Sequence, residues 1–473
     1  MGQTMLESLR GRLEDLINHA LRRGESLGAS LVEVRAQLTV SEEVRVDNGV
    51  LKAFTRTSSA GIGIRVTYGG RQGFSATNRL ERRSVEEAVK AAVAAAKAVD
   101  EATAPAGRPA RRDVRRCRVV KNPLDVPAEV KVRVALEANK AGLSVAGIKS
   151  SRTRLGVVAD LRRFVASDGA DVTVEAVVTG LGQDSIAAEA GVMESVGDAE
   201  GGVGGWELIE GVDHEAFARE VSRLAAEAVK APTPPAGRFA VVADQRMIGL
   251  ILHEAFGHAL EGDLVVSGNS ILRGRVGEAI AAPSVTVVDE GVVEGGYFIP
   301  YDDEGSPKGR TVVVDGGVLK SYLTDRLTAS KLGQPPTGNG RAQDYASPPL
   351  VRQTNLYMVG GDWSVEELME EAREGLYIMG RGARGGEVDP ASGTFTFSAG
   401  PSRMIRGGEP AELVRGVVLS GFILETLKNV EGVGKDVMLR ASVFGGCGKE
   451  GQMVKVGAGG PHVLIRNVTV GGR

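Results

Sequence analysis

Apolar side chains recur at helical spacing over residues 5–27, which predicts an amphipathic helix near the start of the chain. The pattern then changes to alternation and β-branched runs. These predict strands at 31–40, 43–56, 61–68 and 71–76, separated by Gly and Asn turn signals. Ser84-Val85-Glu86-Glu87 fits a capping box, so a helix is expected from Ser84 through an alanine-rich stretch to about Ala102. Residues 103–112, with Pro105, Gly107 and Pro109, read as a loop. A helix at 127–145, strands through much of 150–210 and a helix capped by Asp213 and ending near Lys230 complete this half.

Ala231-Pro232-Thr233-Pro234-Pro235-Ala236-Gly237 carries three prolines in seven residues, and proline interrupts both helices and central strands. A boundary between two domains, 1–230 and 238–473, is placed there; 473 residues also exceed what one core usually holds. Beyond it come a strand at 238–243, a helix from Asp244 to about 262, strands and turns up to 325, and a helix capped by Ser364 with Glu367 three residues on. The rest is strand-rich, and the 65 glycines flanking short β-branched runs point to tight turns. The expected fold class is α+β: two strand-rich domains with mixed and antiparallel sheets.

Composition narrows the function. With 57 basic against 60 acidic residues the net charge is -3, so no chain-wide attraction to nucleic acid exists. The basic run Arg111, Arg112, Arg115, Arg116 and Arg118 reads as a solvated segment. Two cysteines, Cys117 and Cys447, form no disulfide framework, and a reducing cytoplasm is the expected setting. No signal peptide or membrane-spanning run is seen, so no membrane partner is expected.

The candidate chemistry lies in Leu252-His253-Glu254-Ala255-Phe256-Gly257-His258, in a chain with only five histidines. The familiar zinc spacing sets two histidines four residues apart on one helix face. Here the step is five. At about 100° per residue on a regular helix the imidazoles would diverge by about 140°. An i→i+5 turn would bring them together, and Gly257 would ease that distortion. By themselves the residues fit either a metal pair or two hydrogen-bonded core histidines. Asp213-His214-Glu215-Ala216-Phe217 repeats part of the motif without a second histidine, so His214 is read as surface. Cys447 lies in Gly445-Gly446-Cys447-Gly448-Lys449-Glu450, which looks like a phosphate loop but places Val443 and Glu450 where a Walker motif needs Gly and Ser or Thr. A buried structural thiol is its other reading.

Several separated stretches resemble the TldD branch of the TldD/PmbA (TldE) metallopeptidase family. They are the segment from His253 to Asp263, Pro300-Tyr301-Asp302-Asp303-Glu304-Gly305, the stretch from Gly317 to Asp325, Thr337-Gly338-Asn339-Gly340-Arg341, Thr354-Asn355, the stretch from Gly446 to Gln452, and Val468-Thr469-Val470-Gly471-Gly472. The likeness is strong over about 240–473 and looser through Asn48-Gly49-Val50-Leu51-Lys52 and Gly61-Ile62-Gly63-Ile64-Arg65. PmbA-like relatives lack the histidine motif, so the resemblance is to the catalytic branch.

The resemblance implies one divalent metal ion, expected to be Zn²⁺, held by His253, His258 and Cys447. It also implies a peptide or unfolded-protein substrate, and a dimer with a PmbA/TldE-like chain or a second copy. Two imidazoles and a thiolate leave a fourth position for water, as in catalytic zinc sites, and Glu254 is the expected general base. Lys449, Arg341 and backbone amides are candidate oxyanion donors. Asp302, Asp303 and Glu304 read as a solvated turn, as residues that fix a loop, or as a hard-cation site, and His462 as core or surface. The rival reading is a peptide-binding or maturation module whose metal is structural.

Overall fold

The computed structural model describes residues 2–383 and 385–472. Helix α1 (Gly2–Ser26) leads into a hairpin of two long strands, β1 (Leu31–Asp47) and β2 (Val50–Tyr68), followed by β3 (Arg71–Thr77) and α2 (Arg82–Lys97). Strand β1 runs unbroken through residues 41–42, and the chain reverses at Asn48-Gly49, inside the segment expected as one strand. Both turn residues have positive φ, 50° and 77°, the conformation that Asn-Gly supplies most cheaply in a two-residue hairpin. A second correction concerns α2, which is capped at Glu81 without a side-chain bond. Ser84 therefore lies inside the helix and forms no capping box, and the helix ends at Lys97 rather than near Ala102.

After β4 (Arg112–Arg116) and α3 (Ala128–Leu143) come three long strands, β5 (Ile148–Ala166), β6 (Asp171–Glu189) and β7 (Val192–Val203). A short α4 (Glu207–Glu210) and α5 (His214–Ala228) follow, the latter capped by Asp213 as expected. The seven strands form one sheet in the order β3-β2-β1-β5-β6-β4, with β7 also on β6. Only the β4–β6 pairing is parallel. Alternating side chains cover one face with two helix pairs. Leu16, Ile17, Val85 and Val89 pack on Val34 and Ile64, while Val134, Ala138, Phe217 and Val221 pack on Val46, Leu155 and Leu181.

The opposite face receives loops from the C-terminal half. Glycines make that approach possible: a Cβ on Gly61 would sit 2.1 Å from the Tyr345 ring, and one on Gly63 would sit 2.2 Å from the Tyr345 carbonyl. Past the proline segment, β8 (Gly237–Ala243) lies in a nine-stranded sheet between the antiparallel strand Val463–Gly472 and the parallel strand Gly375–Ile378. Among the described residues, no sheet combines strands from before and after the proline segment. Helix α6 (Gln245–Ile251) leaves β8 at Asp244, whose carboxylate accepts from the Met247 amide at 2.7 Å. Met247, Ile248, Ile251, Leu252 and Phe256 anchor this helix and its continuation in the largest core cluster. Phe256 is fully buried, and a side chain of that size contributes about 1.5–3 kcal/mol.

Candidate metal centre

The apolar stripe of α6 continues through His258, but the backbone does not remain α-helical. Leu252–Gly257 form a π-helical turn, and His258–Leu260 close it as a 3₁₀ turn. The wider turn absorbs the five-residue step. The two imidazole centroids lie 5.2 Å apart, instead of on opposite sides of the helix. Gly257 serves this geometry for a reason other than the one expected. Its φ of -63° and ψ of -40° are ordinary helical values, open to any residue. A Cβ there would lie 2.2 Å from Gln353 Oε1, so glycine is needed for space.

Gln353 uses that space to grip His253 twice. Its Oε1 lies 2.9 Å from His253 Nδ1, and its Nε2 donates to the His253 carbonyl at 3.0 Å. Because a carbonyl oxygen only accepts, the proton belongs on Nδ1 and the Nε2 lone pair is left inward. His258 is oriented in the same sense by Glu261 Oε2, 3.1 Å from its Nδ1. Cys447 arrives from 189 residues downstream, with Sγ 3.2 Å from His258 Nε2. The ligand atoms of His253, His258 and Cys447 all lie within 4.8 Å of one another. Among the described residues, no other His, Cys, Asp and Glu side chains form such a group.

The charges fit this grouping. Burial on its own would raise the Cys447 thiol, but its interactions with the adjacent His253 and His258 outweigh it and bring the thiol down to about 6. Burial would lower His258, yet the Glu261 carboxylate and then Cys447 raise it well above its usual value. A metal ligand must be neutral at the donating nitrogen, and the two demands are compatible. Glu261 stabilises the proton on Nδ1, so a metal held there would replace only the one on Nε2. Glu254 differs from the donors in being more open, with 31% of its side chain exposed. Its carboxylate oxygens stand 3.9 Å from both Nε2 atoms.

Comparison with known proteins identifies the family. Family models described as PmbA/TldA metallopeptidase domain 1, central domain and C-terminal domain match residues 32–96, 121–229 and 236–472. A Methanothermobacter thermautotrophicus protein named metalloprotease is 39% identical over 93% of this chain and 95% of its own length. The chain belongs to the TldD/PmbA metallopeptidase family. A Saccharolobus solfataricus relative, named zinc metalloprotease TldD homolog, is 28% identical over 96% of this chain and 99% of its own. The crystal structure of TldE from Thermococcus kodakarensis matches in fold with a TM-score of 0.78, at 20% identity, over 97% of this chain and 100% of that one.

Within this TldD/PmbA chain the other candidate residues fall outside the donor group. Asp302, Asp303 and Glu304 are buried against the N-terminal sheet and fix their loop, rather than forming a solvated turn or, among the described residues, a cation-ligand group. Asp303 meets Arg162 at 2.7 Å, Glu304 pairs with Arg65, and Asp302 accepts from the backbone amides of Glu304, Ser306 and Gly340. Lys449 is not a free oxyanion donor, because Glu261, Asp263 and the Val351 carbonyl take up its ammonium. Arg341 donates to the Gln353 carbonyl at 2.6 Å and so supports the His253 clamp. His462 is buried between Asp436 and Tyr377, on the β8 side of the core. Cys117 accepts from the Val177 amide, and burial raises its thiol.

A cavity of about 370 Å³ between the N-terminal sheet and the C-terminal loops is lined by Val158, Phe164, Phe298, Arg341 and Val454, and none of the four site residues borders it. Glu261 and Gln353 were missed in the sequence. Glu261 carried a signal, being three residues after His258, whereas Gln353 lies 100 residues from His253 and carried none.

The donors fit a divalent metal: two nitrogens with fixed tautomers and one acidified thiol converge, and among the described residues no fourth protein ligand closes the group. His253, His258 and Cys447 are the residues that would hold it.

Proposed function

We propose that the chain is a zinc-dependent peptidase that cuts peptides or unfolded protein segments, with His253, His258 and Cys447 as ligands and Glu254 as general base. The observation that carries this reading is the convergence of three donor atoms within 4.8 Å beside a more open carboxylate 3.9 Å from both imidazoles. A divalent metal bound there supplies Lewis acidity, acidifying a water and polarising the scissile carbonyl. Glu254 accepts the proton of the attacking water and delivers it to the amine nitrogen as the C–N bond breaks. Gln353 and Glu261 keep the two Nδ1 protons in place, so both Nε2 lone pairs stay turned to the shared point. The zinc in the name of the Saccharolobus relative supports the choice of metal. Likeness to TldE supports a dimer with a TldE-like chain, a second copy being the alternative partner. Free Cys117 and Cys447 support a cytoplasmic setting, and no helix among the described residues is long and apolar enough to cross a membrane.

Metal analysis and cleavage of an unfolded peptide, with a TldE-like partner supplied, test this reading. Glu254→Gln keeps the shape but accepts no proton, so metal and peptide binding are expected to remain while turnover falls roughly 10²–10⁴-fold. Equal rates for wild type and variant refute the base assignment. Wild-type protein that binds peptide without cutting it is a binding module.

A further inference from the structure

Cys447 reaches the histidines on a hairpin, Cys447–Lys449 against Gln452–Val454, which forms a two-stranded sheet of its own. Gly445 before it and Glu450 and Gly451 at its turn have positive φ, 72°, 48° and 75°, so the backbone bends sharply where the hairpin enters and reverses. Side chains must therefore fix where the thiol ends up. Lys449 ties one strand to Glu261 and Asp263, and Gln343 Oε1 accepts from the Met453 amide at 2.7 Å on the other.

Arg352 acts on the ligand residue itself. Its Nη2 donates to the Cys447 carbonyl at 2.6 Å and its Nη1 to the Gln452 carbonyl at 3.3 Å, so one guanidinium spans both strands. The side chain is fully buried. Two other buried arginines, Arg65 and Arg326, lie directly against carboxylates. Arg352 does not: Glu261 stands 4.0 Å from its Nε, and Nε and Glu261 Oε1 each lack a hydrogen-bond partner. An interior cation without a contact ion pair is expensive, and packing alone would be served better by an apolar side chain of similar volume.

We propose that Arg352 is a positioning residue for the thiolate: by holding the Cys447 carbonyl it turns Sγ toward His258 Nε2. This rests on the reading of Cys447 as a metal ligand. The probe is cobalt(II), titrated into the metal-free full chain, because bound thiolate gives a charge-transfer absorption that imidazoles do not. Arg352→Met is expected to lose most of that band and to bind cobalt about 10–100-fold more weakly, as does Cys447→Ala. The double variant is expected to bind no more weakly than Cys447→Ala alone, since both changes remove the same ligand. A full band in Arg352→Met overturns the proposal, as does a double variant whose losses multiply. If Arg352→Met fails to fold, Arg352→Gln, which reaches one carbonyl at most, carries the same comparison, and a full band there overturns it too. A wild type without the band overturns this proposal together with the ligand reading; a band intact in both wild type and variant overturns this proposal alone.

Discussion

Gly257→Ala sets two effects in opposition. Alanine is the better helix former by about 0.8–1.0 kcal/mol, and the φ and ψ of residue 257 suit it, so local propensity predicts a gain. The added methyl, however, would lie 2.2 Å from Gln353 Oε1 and 2.4 Å from its Cδ, far inside any real contact. Gln353 must withdraw, and its bonds to the His253 ring and carbonyl go with it. Two hydrogen bonds at about 1 kcal/mol each, with about 1–3 kcal/mol for overpacking, outweigh the propensity gain and leave a net loss of about 2–4 kcal/mol. Freed of Gln353, the His253 ring no longer has a fixed tautomer, and metal affinity is expected to fall about 10–100-fold. Denaturant unfolding of the metal-free protein and competitive zinc titration read the two quantities separately. Gln353→Ala should lower affinity similarly, and the double variant should be little worse than either single one. Gly257→Ala protein that is more stable and binds zinc as tightly as wild type would refute the space argument.

Replacing Cys447 by Ala should lower metal content on elemental analysis, whereas Cys117→Ala, whose thiol lies outside the donor group, should leave it unchanged. Asp325 is raised to about 6 by burial and by the Glu304 charge, so the folded state binds its proton more tightly than the unfolded chain does. Its ionisation removes stability as pH rises from about 4 to about 6. Asparagine accepts equally well from the Thr328 amide, so Asp325→Asn is expected to match wild type at pH 4 and exceed it at pH 7 by up to about 3 kcal/mol, read from urea midpoints.

Local chemistry was legible where the decisive partner is near in sequence. The Asp213, Asp244 and Ser364 caps and the anomaly of a five-residue histidine step could all be read, because each depends on a few adjacent residues. The Asn48-Gly49 turn carried a plain signal but was absorbed into a strand, since β-branched residues continue on both sides of it. Gly257 was identified correctly and explained wrongly, for the side chain that needs its space lies at position 353. The role of Asp302 to Glu304 stayed open between a solvated turn and a fixed loop, because the arginines that pair with them, Arg65 and Arg162, come from the other half of the chain. No local pattern encodes such pairings.

The separation of the donors also orders their assembly. His253 and His258 are brought together by one turn of backbone, but the thiolate must close a loop of 189 residues and wait for its hairpin to dock. A ribosome that has released the histidines but not yet position 447 therefore presents a chain with the two imidazoles and without the third donor. The full donor set therefore exists only in a chain whose C-terminal hairpin has been made and has docked.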